Sequence, residues 1–198
     1  MAETLAGKWS TKRLSRLAGL DVAELSVWVL LLLGFLVAVL HSKLDYSLGL
    51  PGHHGLELMT ALMFARLVSR ERWACLIVAT GTVGGDLVPA SDLMHNLKHV
   101  PLYFLVGGLV DLLYRLLGER CHKPAYAALI GGAVHMTKPL IMTSIALATG
   151  AAFGVPRHGP IFPILTHFAF GAIGAVCGAL LARAYLDARR VPPPEPIR

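Results

Sequence analysis

The sequence predicts an all-α integral membrane protein: a bundle of six transmembrane helices with short loops and both termini in the cytoplasm. Of the 198 residues, 55% are hydrophobic and only 15% are charged, against a charged share of about 25% in typical soluble domains. Several apolar runs approach the roughly 20 residues that cross about 30 Å of hydrocarbon. Basic residues flank alternate connections between these runs, as topology signals do.

The apolar runs divide the chain into three parts. Residues 1–22 form a basic cytoplasmic segment, residues 23–186 form the six-helix transmembrane domain, and residues 187–198 form a proline-rich cytoplasmic tail. We predict helices over residues 25–40, 54–68, 73–88, 94–117, 124–148 and 161–185.

The first three predicted helices differ in length. Helix one is a long apolar run, and no small-residue cleavage pattern of a signal peptide follows it. Helices two and three are short, and the segment Arg70–Arg72, with an arginine at each end, joins them tightly. An alternative for this pair is a re-entrant hairpin that enters and leaves the same side of the membrane.

Helices four, five and six each contain a proline: Pro101, Pro139 and Pro163. Proline frees a backbone carbonyl and often kinks a membrane helix. Glycines recur along the same helices, as expected where close backbone approach drives helix packing in lipid. We therefore predict a cavity between these helices that opens to the outside.

The distribution of basic residues sets the orientation. All but four of the 18 lysines and arginines fall on one side of the predicted membrane; the exceptions are Lys43, Lys98, Lys138 and Arg157. The positive-inside rule places that side in the cytoplasm, which predicts a multi-pass protein of a bacterial-type inner (plasma) membrane. The net charge of +6 is explained by this pattern. We expect membrane lipid, and no nucleic acid, as a partner.

Histidines are the main functional feature of the sequence. Seven of the nine fall at or near the predicted outer side, and His135 lies near the middle of helix five. The seven are His41, His53, His54, His95, His99, His158 and His167. His53 and His54 follow a Pro-Gly pair, so they are either part of a lid or solvated loop residues.

The densest cluster is the segment from Asp92 to His99. On a helix, Asp92, His95 and His99 share one face, and two histidines four residues apart can bind zinc, copper, nickel or iron. Lys98 lies within the same segment. The alternative is a polar helix start at the membrane interface, capped by Asp92.

Four ionisable residues lie inside apolar helices: Glu57, His135, Lys138 and His167. Such groups are costly in lipid and usually face a cavity or one another. At about 1.5 Å per residue, His135 and His167 reach depths that differ by roughly 5 Å, so they can line one pocket. The alternative is structural ion pairing, for example between Glu57 and Lys138.

Known catalytic motifs are missing from the sequence. It contains no GxSxG, no HExxH and no Walker A sequence, so we expect no enzyme activity and no ATP hydrolysis. The three cysteines lie far apart and form no CxxC, which indicates packing residues.

The layout of residues 25–185 resembles the substrate-binding S-components of energy-coupling factor transporters. The similar features are the tight basic turn at residues 69–72 (SRER), the glycine-rich residues 80–86 (TGTVGGD) and residues 107–115 (GGLVDLLYR). The pair Gly34 and Ala38 looks like the family's small-residue docking motif on helix one. The resemblance implies capture of a vitamin or metal on the outer side, with a transmembrane coupling subunit and two ATPases as partners.

Three functional hypotheses follow. The first is a substrate-capture protein that binds a small molecule or metal for uptake; its ligand-binding residues are His53, His54, Asp92, His95, Lys98, His99, His135, Lys138 and His167. Among these, the metal candidates are His95, His99, His135 and His167. The second is a metal- or haem-binding subunit for electron transfer or cofactor assembly, with His135 and His167 as axial ligands. The third is a structural or assembly subunit of a larger membrane complex.

Overall fold

The computed structural model describes residues 22–44, 50–88, 97, 99–150, 159 and 161–189. Its helices are α1 (Val22–Leu44), α2 (Gly55–Val68), α3 (Ala74–Leu87), α4 (Val100–Leu117), a 3-10 helix (Gly118–His122), α5 (Pro124–His135), α6 (Thr137–Thr149) and α7 (Ile161–Arg189). These ranges contain no strand, so the prediction of an all-helical bundle is confirmed. Residues 1–21 of the predicted basic segment and 190–198 of the predicted tail lie outside the described residues.

Predicted helix five is two helices in the structure, because α5 and α6 meet at Met136. Pro139 has no N–H with which to bond the carbonyl of His135, so the helix is interrupted there. The last turn of α5 closes through a hydrogen bond from the Met136 N–H to the Gly132 carbonyl, at 3.0 Å. The break leaves His135 at the end of α5 and Lys138 at the start of α6.

Two stretches are long and apolar enough to cross a membrane. They are Val100–His122, which continues from α4 through the 3-10 helix, and Ile161–Ala188 within α7. Val27–His41 and Ala74–Leu87 are shorter apolar helices. Large apolar side chains cover the outer face of α1, where Trp28 is 73% exposed and Leu32 is 55% exposed. Such a continuous apolar surface is typical of contact with lipid or another protein.

The central helix of the bundle is α2, which contacts α1, α3, α4, α5 and α7. Nine of its 14 residues are buried. Helix α7 packs closely on it, since a Cβ atom on Gly174 or Gly178 would overlap the backbone carbonyl of Leu56 or Thr60. The Thr60 hydroxyl also donates a hydrogen bond to the Gly174 carbonyl, at 3.0 Å. The predicted small-residue packing thus positions α7 beside α2.

Helices α1 and α3 pack through small residues on both sides. A Cβ atom on Gly34 would overlap the Val78 carbonyl, and one on Gly85 would lie 2.6 Å from Cβ of Ala38. This intrachain contact uses the pair that the resemblance assigns to partner docking. Docking at Gly34 and Ala38 stays a prediction, and it would require α3 to separate from α1.

One end of the bundle, which we call the basic end, is joined by a buried ion pair. Arg66 Nη1 donates to Asp111 Oδ1 at 3.1 Å, and these side chains are 4% and 0% exposed. The Asp111 carboxylate also accepts the backbone N–H groups of Cys75 and Leu76 at 3.1 Å. It thereby caps the start of α3 from α4, because early helix N–H groups lack intrahelical partners. This Arg66–Asp111 clasp joins α2, α3 and α4.

Other basic side chains lie around the clasp. The Arg115 guanidinium lies 3.6 Å from the centre of the Trp73 ring, and that of Arg72 lies 5.7 Å from it. Arg115 also donates a hydrogen bond to the Arg72 carbonyl, at 3.2 Å. Trp73 is 42% exposed. An exposed tryptophan among arginines is typical of a membrane–water interface.

Candidate metal centre

Five histidines meet at the opposite end of the bundle, which we call the histidine end. They come from the end of α1 (His41), the turn before α2 (His53 and His54), the end of α5 (His135) and the first turns of α7 (His167). The distances between the ring centres of neighbours range from 4.9 to 6.3 Å. Four separate parts of the chain therefore bring the same side-chain chemistry together.

Three of them, His54, His135 and His167, form a cluster that can bind a metal ion. Each offers one ring nitrogen, and these nitrogens lie within 4.8 Å of one another. The ring centres lie 5.0, 5.9 and 4.9 Å apart. Imidazoles on one tetrahedral ion, with metal–nitrogen distances of about 2.0–2.1 Å, place their ring centres about 5 Å apart. We call this set the three-histidine cluster.

Hydrogen bonds to carbonyls fix which nitrogen of two of these rings carries the proton. His135 donates from Nε2 to the Gly52 carbonyl at 3.3 Å, and His167 donates from Nδ1 to the Pro163 carbonyl at 2.7 Å. Since a carbonyl only accepts, each neutral ring keeps a lone pair on its other nitrogen. His135 Nδ1 is buried and has no hydrogen-bond partner among the described residues. Metal-bound histidines normally donate their second N–H in this way.

The third ring, that of His54, faces a positive charge. Lys138 Nζ lies 3.4 Å from His54 Nε2, and because an ammonium group only donates, Nε2 is the acceptor. The Nε2 lone pair of His54 is therefore already engaged by Lys138, and a metal ion at His54 would have to displace the ammonium group from it.

Two glycines allow the turn before α2 to approach the other histidines. Gly52 has a φ of +86°, and a Cβ atom there would lie 2.6 Å from Cγ of His167. A Cβ atom on Gly55 would overlap the His135 ring. Any other residue at Gly52 would carry both a left-handed backbone cost and a ring clash. The sequence PGHHG thus carries His54 into the site.

Binding one ion requires the rings to turn and to approach one another, because their nitrogens lie up to 4.8 Å apart. The planes of His135 and His167 are only 25° apart, whereas a lone pair lies in the plane of its ring. At least one ring must therefore turn about its Cβ–Cγ bond, a torsion with a broad and shallow energy profile in histidine. On a tetrahedral ion the three nitrogens would be about 3.4 Å apart.

A narrow cavity adjoins the cluster. The space inside it is about 10 Å³, about the room that one water molecule needs. It is lined by His54, Leu58, His99, Leu102, Tyr103, Val106, His135 and Lys138. An ion or a water molecule suits this space better than a vitamin-sized solute.

The structure brings together some of the sequence-predicted site residues. His54, His135, Lys138 and His167 converge, His53 lies beside them, and His99 lines the cavity. The other three predicted residues, Asp92, His95 and Lys98, lie outside the described residues.

Sequence reasoning missed the role of His41 in this arrangement. Its Nδ1 lies 3.1 Å from Glu57 Oε2, and its ring packs beside His53 and His54. Its position in the sequence was the available signal. His41 lies in the last turn of α1, and His53 and His54 directly precede α2. A loop of about a dozen residues can bring such helix ends together.

Comparison with known proteins gave no relatives. No protein-family model, no curated protein and no solved structure matches the chain.

Proposed function

We propose that this chain is a membrane protein that captures a divalent transition-metal ion at the histidine end of its helical bundle for uptake. The three-histidine cluster carries this proposal, because three imidazole rings from separate parts of the chain place one nitrogen each within 4.8 Å of one another. Imidazole favours zinc, copper, nickel, cobalt and iron, whereas magnesium and calcium prefer oxygen ligands. The small cavity favours the ion over an organic solute.

The proposed topology has six spans, with α5 and α6 together forming the fifth. The basic end then lies in the cytoplasm with both termini, in a bacterial-type inner membrane. The separation of the two chemistries supports this orientation: arginines surround the clasp, and histidines meet at the far end. The positive-inside rule assigns the arginine side to the cytoplasm.

We further propose that uptake depends on partner proteins. The sequence has no motif for ATP hydrolysis, and its layout resembles proteins that use a transmembrane coupling subunit and ATPases. We assign no catalytic role, since the sequence carries no known catalytic motif.

A haem fits this site poorly. A bis-histidine haem is held by imidazoles that reach its iron from opposite faces of the macrocycle. His135 and His167 instead lie face to face, with ring centres 4.9 Å apart and planes at 25°. No macrocycle fits between rings in that arrangement, so a bare ion is favoured over the haem version of the second hypothesis.

Metal titration of the purified full-length chain tests the proposal. After treatment with a chelator, the protein in detergent is titrated with Co²⁺, whose visible absorption reports tetrahedral nitrogen coordination, and then with Zn²⁺ as competitor. We expect saturable Co²⁺ binding that Zn²⁺ displaces. Loss of a residue that only contacts a metal ligand costs about 10–100-fold in metal affinity. His135 is a proposed ligand itself, so His135→Ala should lower Co²⁺ affinity by at least about 100-fold.

The matched control is His122→Gln, in the 3-10 helix at the basic end. It should bind Co²⁺ as the unmodified chain does. Absence of saturable binding in the unmodified chain, or equal binding by His135→Ala, would contradict the proposed function. A Soret band in the untreated preparation would support a haem protein instead.

A further inference from the structure

We infer that a second metal-binding site lies at the mouth of the three-histidine cluster, formed by His41 and His53 with Glu57, and that it receives the ion first. We call it the mouth site. This inference rests on the proposed function, because the mouth site is a route to the same cluster.

The mouth site has two histidines with fixed tautomers. His41 donates from Nδ1 to Glu57 Oε2 at 3.1 Å, and His53 donates from Nδ1 to the Leu50 carbonyl at 2.9 Å. Each ring therefore keeps a lone pair on Nε2. The two ring centres lie 5.6 Å apart, near the separation of about 5 Å expected for imidazoles on one ion.

Exposure distinguishes the mouth site from the inner cluster. The side chains of His41 and Glu57 are 40% and 27% exposed, whereas His135 is 1% exposed. An ion from solution therefore meets His41 and Glu57 before it meets His135. A partly exposed ion pair contributes little to stability, so the Glu57 contact is better explained by its effect on His41.

The charged side chains beside the two sites have opposite signs. The Glu57 carboxylate adds negative charge beside His41, and a carboxylate partner also makes an imidazole a stronger metal ligand. The inner cluster instead has the ammonium group of Lys138 beside His54. The mouth site thus attracts cations.

His54 connects the two sites. Its ring centre lies 5.8 Å from that of His41, 6.3 Å from that of His53 and 5.0 Å from that of His135. Transfer is then a ligand exchange: nitrogen–metal bonds to His41 and His53 break as bonds to the inner histidines form. The ion keeps its charge throughout, and no redox step is involved.

Stopped-flow loading with Co²⁺ tests the mouth site in the full-length protein. Glu57→Gln removes the charge while its amide oxygen can still accept the His41 N–H. We expect the unmodified chain to bind two ions, one weakly. Glu57→Gln and His41→Ala should each lose the weak ion and load the inner cluster about tenfold more slowly, with inner affinity within about threefold. His122→Gln is the control.

The outcomes separate this inference from the proposed function. One bound ion in the unmodified chain, with unchanged loading rates in Glu57→Gln and His41→Ala, would overturn the mouth site and leave the inner cluster intact. A chain carrying both His135→Ala and His167→Ala should still bind one ion weakly, and loss of that ion would also overturn the mouth site. A wild-type chain that binds no Co²⁺ would overturn the proposed function itself.

Discussion

The two ends of the bundle use buried polar groups in opposite ways. At the basic end, donors meet acceptors: Arg66 donates to Asp111 and to the carbonyls of Ser69 and Arg72, with only its Nε left over. At the histidine end, imidazole rings face one another, and buried His135 Nδ1 has no hydrogen-bond partner among the described residues.

This difference separates stability from binding. Matched donors and acceptors hold helices together, and an added ligand would have nothing to bond. A cluster of nitrogen lone pairs with few hydrogen-bond donors is stabilised when a cation binds, because a buried acceptor without a partner costs free energy. The clasp is therefore expected to govern folding, and the three-histidine cluster to govern metal affinity.

The largest effect should come from Asp111→Ala. This change leaves Arg66 as an unpaired buried charge and uncaps the start of α3, so it should cost about 3–5 kcal/mol of unfolding free energy. Thermal unfolding in detergent, followed by circular dichroism, measures the loss. Asp187→Ala, which removes the exposed Arg183–Asp187 pair at 3.9 Å, should leave the melting temperature unchanged. Equal melting temperatures for the two variants would show that the Arg66–Asp111 clasp does not govern the stability of the fold.

A smaller effect, divided between stability and binding, is expected of Gly52→Ala. A left-handed φ costs an alanine about 1–2 kcal/mol, and the new Cβ also displaces His167. Co²⁺ affinity should fall about tenfold or more along with the melting temperature. Gly159→Ala is the matched control, since Gly159 has a φ of +73° and a Cβ atom there would meet no described residue within 4 Å. It should lose stability without losing affinity; a matching loss of affinity would show that the ring contact is unimportant.

The smallest effect is expected of Lys138→Met. Removing a like charge near the ion should raise Co²⁺ affinity about tenfold, equivalent to about 1.4 kcal/mol at an effective dielectric between those of water and protein. Equilibrium titration measures it, with Lys123→Met at the basic end as control. Weaker binding in Lys138→Met would indicate that the lysine assists an anionic ligand rather than opposing a cation.

Much of the fold could be predicted because apolar runs and their basic flanks are local features of the sequence. Predicted helix two began at residue 54 and α2 begins at Gly55; predicted helix six and α7 both begin at residue 161. That His135 and His167 could line one pocket was predicted from their similar depths, since the rise per residue is nearly constant in a helix.

What could not be predicted depends on helix rotation and on loops. The face of α1 that carries Gly34 and Ala38 packs on α3, and spacing alone does not reveal which helix it meets. The contact between His41 and Glu57 forms across a loop, and the tautomers of His135 and His167 depend on carbonyls that only the folded chain brings near. The proline pattern predicted an interruption of helix five at Pro139, but not that two separate helices would meet at Met136.

The shortness of α2 has a consequence for the distance that a captured ion must travel. With 14 residues, α2 spans about 21 Å at 1.5 Å per residue, whereas the hydrocarbon layer is about 30 Å thick. If the bundle spans a bilayer as proposed, the longer α1 and α7 reach both surfaces, while at least one end of α2 lies below the headgroups. An ion bound beside a start of α2 that lies at this depth would begin its passage inside the membrane, with less than the full thickness of the hydrocarbon layer still to cross.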